Sequence, residues 1–239
     1  TAGFSTQSVG GSSVSASSIV NATTAQTSKK VNIYNQMAQV LAGFNTSSVV
    51  RRFDQDGDLS GDGGTKHDNA IFFNFSRLLT KDEIKKGSFE MKIGTGSFAN
   101  TTASVGMGGS PKLITDSGSL TSYKINSPAG EYGILSSEGV NVGLIYYQAG
   151  VAVLTSSVFP TTATMKAADN GLRAIGDILT GSSLDTLSDS IRKRIYNIQF
   201  SNTTELNSTI YFCRANNTEF NYSSNPTYLS GSKIRVKTN

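Results

Sequence analysis

Asn141-Val142-Gly143-Leu144-Ile145-Tyr146-Tyr147-Gln148-Ala149-Gly150-Val151-Ala152-Val153-Leu154, running on to Phe159, decides the fold class of this chain. Two runs of aliphatic and aromatic residues flank a short break that ends in glycine. Such side chains suit the pleated surface of a strand. The Gln148-Ala149-Gly150 break reads as a turn between two paired strands, or as a glycine bulge in one long strand. Either reading puts residues 141–159 in a sheet.

Working outward, further strand patterns appear. Ile71-Phe72-Phe73-Asn74-Phe75 reads as one strand. Residues 88–93 alternate Phe89, Met91 and Ile93 inward, and residues 195–200 alternate Tyr196, Ile198 and Phe200. Residues 209–213 read as a returning strand, and the tail at 232–237 alternates Ile234 and Val236 with basic residues. Helical spacing is confined to a few places. Val31, Tyr34, Met37, Val40, Leu41 and Phe44 predict a helix over 28–44, with Ser28 as N-cap and Gly43 as stop. Thr80 and Glu83 form a capping-box pattern for a short helix ending at Gly87. Residues 168–195 predict two helices, the second capped by Ser183.

The composition agrees with a strand-rich chain. Of 239 residues, 37% are hydrophobic and 16% are charged, both below common values. Ser, Thr, Asn and Gly make up the difference, and these residues favour turns and surface loops. The fold class expected is α+β: a mainly antiparallel sheet or sandwich core, a few short helices and long Ser/Thr/Gly-rich loops. Residues 1–28 read as an extended N-terminal arm, and 29–239 as one structural domain, as a piece of a longer chain.

The net charge of +4 is mild for this length. The one dense basic cluster, Arg192-Lys193-Arg194, reads as the basic last turn of a helix. Aromatics do not interleave with basic residues as a nucleic-acid platform requires, so nucleic acid is not an expected partner. No apolar run is long enough for a membrane-spanning helix. With Cys213 as the single cysteine, no intrachain disulfide can form.

Asp54-Gln55-Asp56-Gly57-Asp58-Leu59-Ser60-Gly61-Asp62 is the candidate metal site. Alternating carboxylates on a glycine-bent loop can converge oxygens on Ca²⁺. Asp54, Asp56, Asp58 and Asp62 are the candidate ligands. The glycine falls one place early for an EF-hand loop, and Thr65 stands where the closing glutamate would be. The same run also makes good turns. His67 and Cys213 could in principle form a thiol–imidazole couple, but no third group orients them and no catalytic residue is assigned. Apart from calcium, no cofactor is expected.

The last third carries a different signal. Residues 206–228 combine a strand-like run, a polar break, an aromatic–Asn cluster and an Asn-Pro turn. The chemistry on offer there is backbone pairing and ring packing. Tyr211, Phe212, Phe220, Tyr222 and Tyr228 are the expected packing and assembly anchors, with Asn221 and Asn225 setting turn geometry.

Three blocks carry a family resemblance. They are Asn74-Phe75-Ser76-Arg77-Leu78-Leu79 with Glu83-Ile84-Lys85-Lys86-Gly87-Ser88-Phe89; Ser127-Pro128-Ala129-Gly130-Glu131-Tyr132-Gly133 running into residues 143–154; and residues 194–236. Together they resemble virion structural proteins of large contractile-tailed, T4-like bacteriophages of the marine type. The resemblance implies a location in the virion, as a subunit of the tail, baseplate or neck. It also implies copies of itself and other virion structural proteins as partners, and it transfers no catalytic residue. The alternative from the residues alone is a Ca²⁺-dependent carbohydrate-binding or adhesive β module built on the Asp loop and exposed tyrosines.

Overall fold

The structure is a computed structural model, and it describes residues 22–59, 64–98, 111–166, 171–180, 182–204, 206–214, 225–231 and 233–234. The chain divides into two units, residues 1–204 and 205–239. In the first, helix α1 (Ala22–Leu41) precedes β1 (Ala70–Asn74), the single-turn helix α2 (Arg77–Thr80), β2 (Glu83–Ile84) and β3 (Glu90–Ile93). Then come β4 (Lys112–Thr115), α3 (Ser119–Ser122), β5 (Lys124–Ser127), β6 (Gly130–Ser137), β7 (Val140–Tyr146) and β8 (Val151–Thr155). The unit closes with β9 (Thr164–Lys166), β10 (Leu172–Ala174), α4 (Ile175–Thr180), α5 (Leu184–Arg192), β11 (Ile195–Gln199) and β12 (Asn202–Thr203). In the second unit, β13 (Leu229–Ser230) pairs with β14 (Lys233–Ile234) as a small hairpin.

The fold is α+β. Eight strands form one antiparallel sheet, curled as a half-barrel, in the order β1-β8-β7-β6-β4-β3-β11. β5 shares an edge of β6 with β4: Thr115 of β4 meets Ser136, while Lys124 of β5 meets Tyr132. The 141–159 stretch supplies β7 and β8, which are flanked in the sheet by β6 and β1. Its break is a hairpin turn rather than a bulge: Gly150 N–H donates to Tyr146 O at 2.9 Å, and Gly150 takes φ +67°. That left-handed conformation is open to glycine at little cost.

Alternation along β8, and along β7 from Gly143 onward, splits their side chains between two cores, while Val142 stands at a register shift opposite Leu135 and Ser136. Val142, Ile145, Ala152 and Leu154 join Ile71, Phe89, Met91 and Ile178 on one face. Leu144, Tyr146, Val151 and Val153 join Tyr34, Leu41, Phe53 and Tyr132 on the other. Both faces are therefore covered, and β8 is buried at all five positions, the pattern of a strand with no solvent face. Burying each valine or leucine of this strand stabilises the fold by roughly 1.5–3 kcal/mol.

Several local expectations give way to packing. α1 starts at Ala22, so Ser28 lies inside it as a buried residue rather than as its cap. Its stop is as expected: Gly43 follows at φ +76° and donates to Ala38 O. The capping-box helix after Thr80 does not form. Ser76 caps α2 instead, through Leu78 N–H, and Glu83–Ile84 pair with β12. The reason is Ile84: it is fully buried and its N–H donates to Tyr147 O, so tertiary contacts override the local cap. In β11 a bulge between Ile195 and Asn197 shifts the phase. Tyr196 therefore faces outward, while Ile198 packs on the core. Ser183 caps α5 as expected, accepting from Thr186 N–H at 3.2 Å.

Candidate functional site

The Asp loop is positioned by the sheet. Tyr132 Oη lies 2.7 Å from Gly57 O, and Asn126 Nδ2 donates to Asp58 O at 2.5 Å. Asn141 Nδ2 donates to Gln55 O at 3.0 Å. This anchoring brings Asp54, Asp56 and Asp58 together, their carboxylate oxygens within 4.8 Å of one another. Asp62 lies outside the described residues. Gly64 crosses close by, where a Cβ would stand 2.8 Å from Asp54 Oδ1 and 3.1 Å from Asp56 Oδ2. Only glycine fits there, all the more since its φ is +72°.

Asp54 is fully buried. One of its oxygens takes the Lys66 ammonium, and Oδ1 meets no hydrogen-bond partner among the described residues. The three carboxylates can face a hard cation. Calcium, however, takes about six to eight oxygens, and Lys66 already brings a positive charge to Asp54. As it stands, the loop is closed by an ion pair.

His67 is also buried, and its backbone carbonyl accepts from Tyr34 Oη at 2.7 Å. Burial pushes its imidazole below its usual pKa, against the opposing pull of Asp54 and Asp68. Its Nε2 meets no hydrogen-bond partner among the described residues, while Cys213 is exposed.

A second feature lies at the sheet edges. An apolar groove of about 630 Å³ opens between α1, β1, α5 and β11, lined by Val31, Phe73, Leu187, Ile191, Ile195 and Ile198 among others. Both strands that border it, β1 and β11, are the outer strands of the sheet. Lys30 spans one wall and donates to Ile178 O and Leu179 O at 2.9 and 2.7 Å. These are carbonyls of the last turn of α4, where a cation is favoured. Burial lowers the Lys30 pKa to about 8.

Of the aromatic anchors expected in the last third, Tyr211, Phe212 and Tyr228 lie in the described residues. Tyr211 and Phe212 are 84% and 93% exposed, and Tyr228 is exposed as well. Phe220, Tyr222 and Asn221 lie outside the described residues. The strand expected at 209–213 is not assigned: residues 206–214 have no regular secondary structure. Asn225 does set a turn, its Oδ1 accepting from Thr227 N–H at 3.0 Å.

The basic triplet separates by burial. Arg192 and Lys193 both pair with Asp189, at 2.5 and 2.6 Å. Arg194 is fully buried instead. Its guanidinium donates to Gly94 O, Gly96 O and Thr164 O at 3.0, 2.7 and 2.8 Å, and stacks over Phe98 and Phe159. It knits β3, β9 and β11 together. Asp116 is the other structural charge that the sequence left unmarked. It is fully buried and accepts from Gly87 N–H, Phe89 N–H and Tyr147 Oη at 2.8, 2.9 and 3.1 Å. Nothing in its local sequence marks it, since its three partners come from distant positions.

No family model, no curated protein and no solved structure matches this chain.

Proposed function

We propose that this chain is a structural subunit of a tailed-bacteriophage particle, in the tail, baseplate or neck. It works by joining copies of itself and other particle proteins, and it carries out no enzymatic step. The observation that carries the reading is the pairing of two features. One is a half-barrel whose two outer strands border an apolar groove. The other is a strand-like apolar run at 206–213 that stands exposed. Natural proteins usually cover or charge such edges and runs, and an assembly subunit uses them instead. The three blocks of sequence resemblance supply the particle. The test is electron cryomicroscopy of the particle from which the chain comes. The sequence should fit density repeated around a symmetry axis, and its absence from purified particles would overturn the reading.

A Ca²⁺-dependent adhesive module is the second reading, favoured by the buried Asp54 Oδ1, which has no partner among the described residues, beside Asp56 and Asp58. It requires millimolar calcium to raise Tm by several degrees, and Asp56→Asn to abolish the rise. The assembly reading expects a shift near zero, because Lys66 already neutralises the buried carboxylate.

A further inference from the structure

The geometry points to donor-strand assembly: residues 206–214 of a second copy lie along the open edge of β1 and fill the apolar groove beside it. This rests on the assembly reading above and names the contact that would carry it.

The acceptor is defined by the backbone. Ser156 N–H donates to Asn69 O and Phe75 N–H to Gly150 O, at 3.0 and 2.9 Å. The register pairs Ile71 with Leu154 and Phe73 with Ala152. In an antiparallel ladder the bonded residues alternate, so the odd positions of β1 bond β8. The N–H and C=O groups of Ala70, Phe72 and Asn74 then point away from β8. Among the described residues no strand pairs with that side. These three alternate residues with outward donors and acceptors form a short template for one more strand. The groove gives that strand an apolar bed, because Phe73, Leu187, Ile191 and Ile198 belong to or pack on the first core.

The donor is defined by its pattern. Leu206, Ile210 and Phe212 fall on one side of an extended chain, with Ser208 between them, and are 92%, 74% and 93% exposed. Asn207, Thr209, Tyr211 and Cys213 fall on the other. An apolar face on a segment without a ladder matches an apolar groove beside an edge without a strand. With Ile210 and Phe212 turned into the groove alongside Ile71 and Phe73, Cys213 shares the opposite face with Ala70 and Asn74. That placement is specific enough to test by chemistry.

Ala70→Cys and Asn74→Cys are made separately in the full chain and treated with a short dimaleimide, with sedimentation velocity run in parallel. Asn74 is exposed, so its variant keeps the test open if the Ala70 variant fails to fold. Wild type and Ile71→Cys serve as controls. The expected result is an intermolecular dimer from at least one even-position variant, removed by Cys213→Ser and lowered at least tenfold by Phe212→Asp. A cross-link within one monomer would make the chain's own segment the occupant and overturn the proposal. Oligomers without any cross-link would overturn it too, while leaving the assembly reading intact. A wild-type chain that stays monomeric at every concentration and is missing from particles would overturn both.

Discussion

Residues 144–154 and 206–213 are written in the same vocabulary, apolar and aromatic side chains at strand spacing, yet they end in opposite states. The first is paired on both sides and buried on both faces. The second is exposed and outside any ladder. Pattern therefore specifies a capacity to be a strand, and neighbours decide whether it is used. In 144–154 the neighbours are in the same chain. In 206–213 the donor-strand account places them in another copy.

The comparison breaks most visibly in the first region. Leu144→Ala should cost about 3–5 kcal/mol, since it removes a fully buried side chain and leaves a cavity. Urea denaturation measures this, and a loss below about 1 kcal/mol would mean that the two-sided core is misassigned. Asp116→Ala should follow at about 2–4 kcal/mol. It leaves Gly87 N–H and Phe89 N–H without their acceptor beneath the β7–β8 hairpin.

A pH titration sharpens the picture of the second core. The folded-state pKa of His67 is held below its ordinary 6.5 by burial, so below that pH the unfolded chain binds the extra proton. Stability should then fall as pH drops beneath about 6.5. His67→Gln should flatten that part of the profile. Asp116, whose carboxyl burial pushes up, acts in the opposite sense at more acidic pH, where it favours the protonated folded form. The smallest effect belongs to the second region. Ile210→Ala should change monomer stability by less than about 0.5 kcal/mol, as for an exposed site, while reducing self-association measured by sedimentation.

Much of the sheet was legible because period-2 patterns are local. Phe89, Met91 and Ile93 alternate with polar residues, and the break at Gly150 is a glycine turn. What escaped was fixed at a distance. β4 and β5 are four-residue strands without a distinctive pattern, held mainly by their partners. The Thr80–Glu83 box lost to the burial of Ile84, and the phase of β11 turned on a bulge that no residue type announces. Within the candidate sites, the spacing of Asp54, Asp56 and Asp58 foretold their convergence. Lys66 closing the loop was not legible, since its ion pair needs the fold. Arg194 read as part of a helix's basic last turn, but α5 ends at Arg192, and burial is not written in a triplet. The groove also escaped, being built from α1, β1, α5 and β11, which meet only in space.

Hydrogen exchange of the full chain, followed from dilute to concentrated solution, tests the central claim most directly. The account predicts that amides of 144–154 stay protected throughout. Those of 206–213 should exchange freely when dilute and become protected at high concentration, together with the amides of Phe72 and Asn74. Protection of 206–213 in the dilute monomer equal to that of 144–154, or none at any concentration or in the particle, would contradict it.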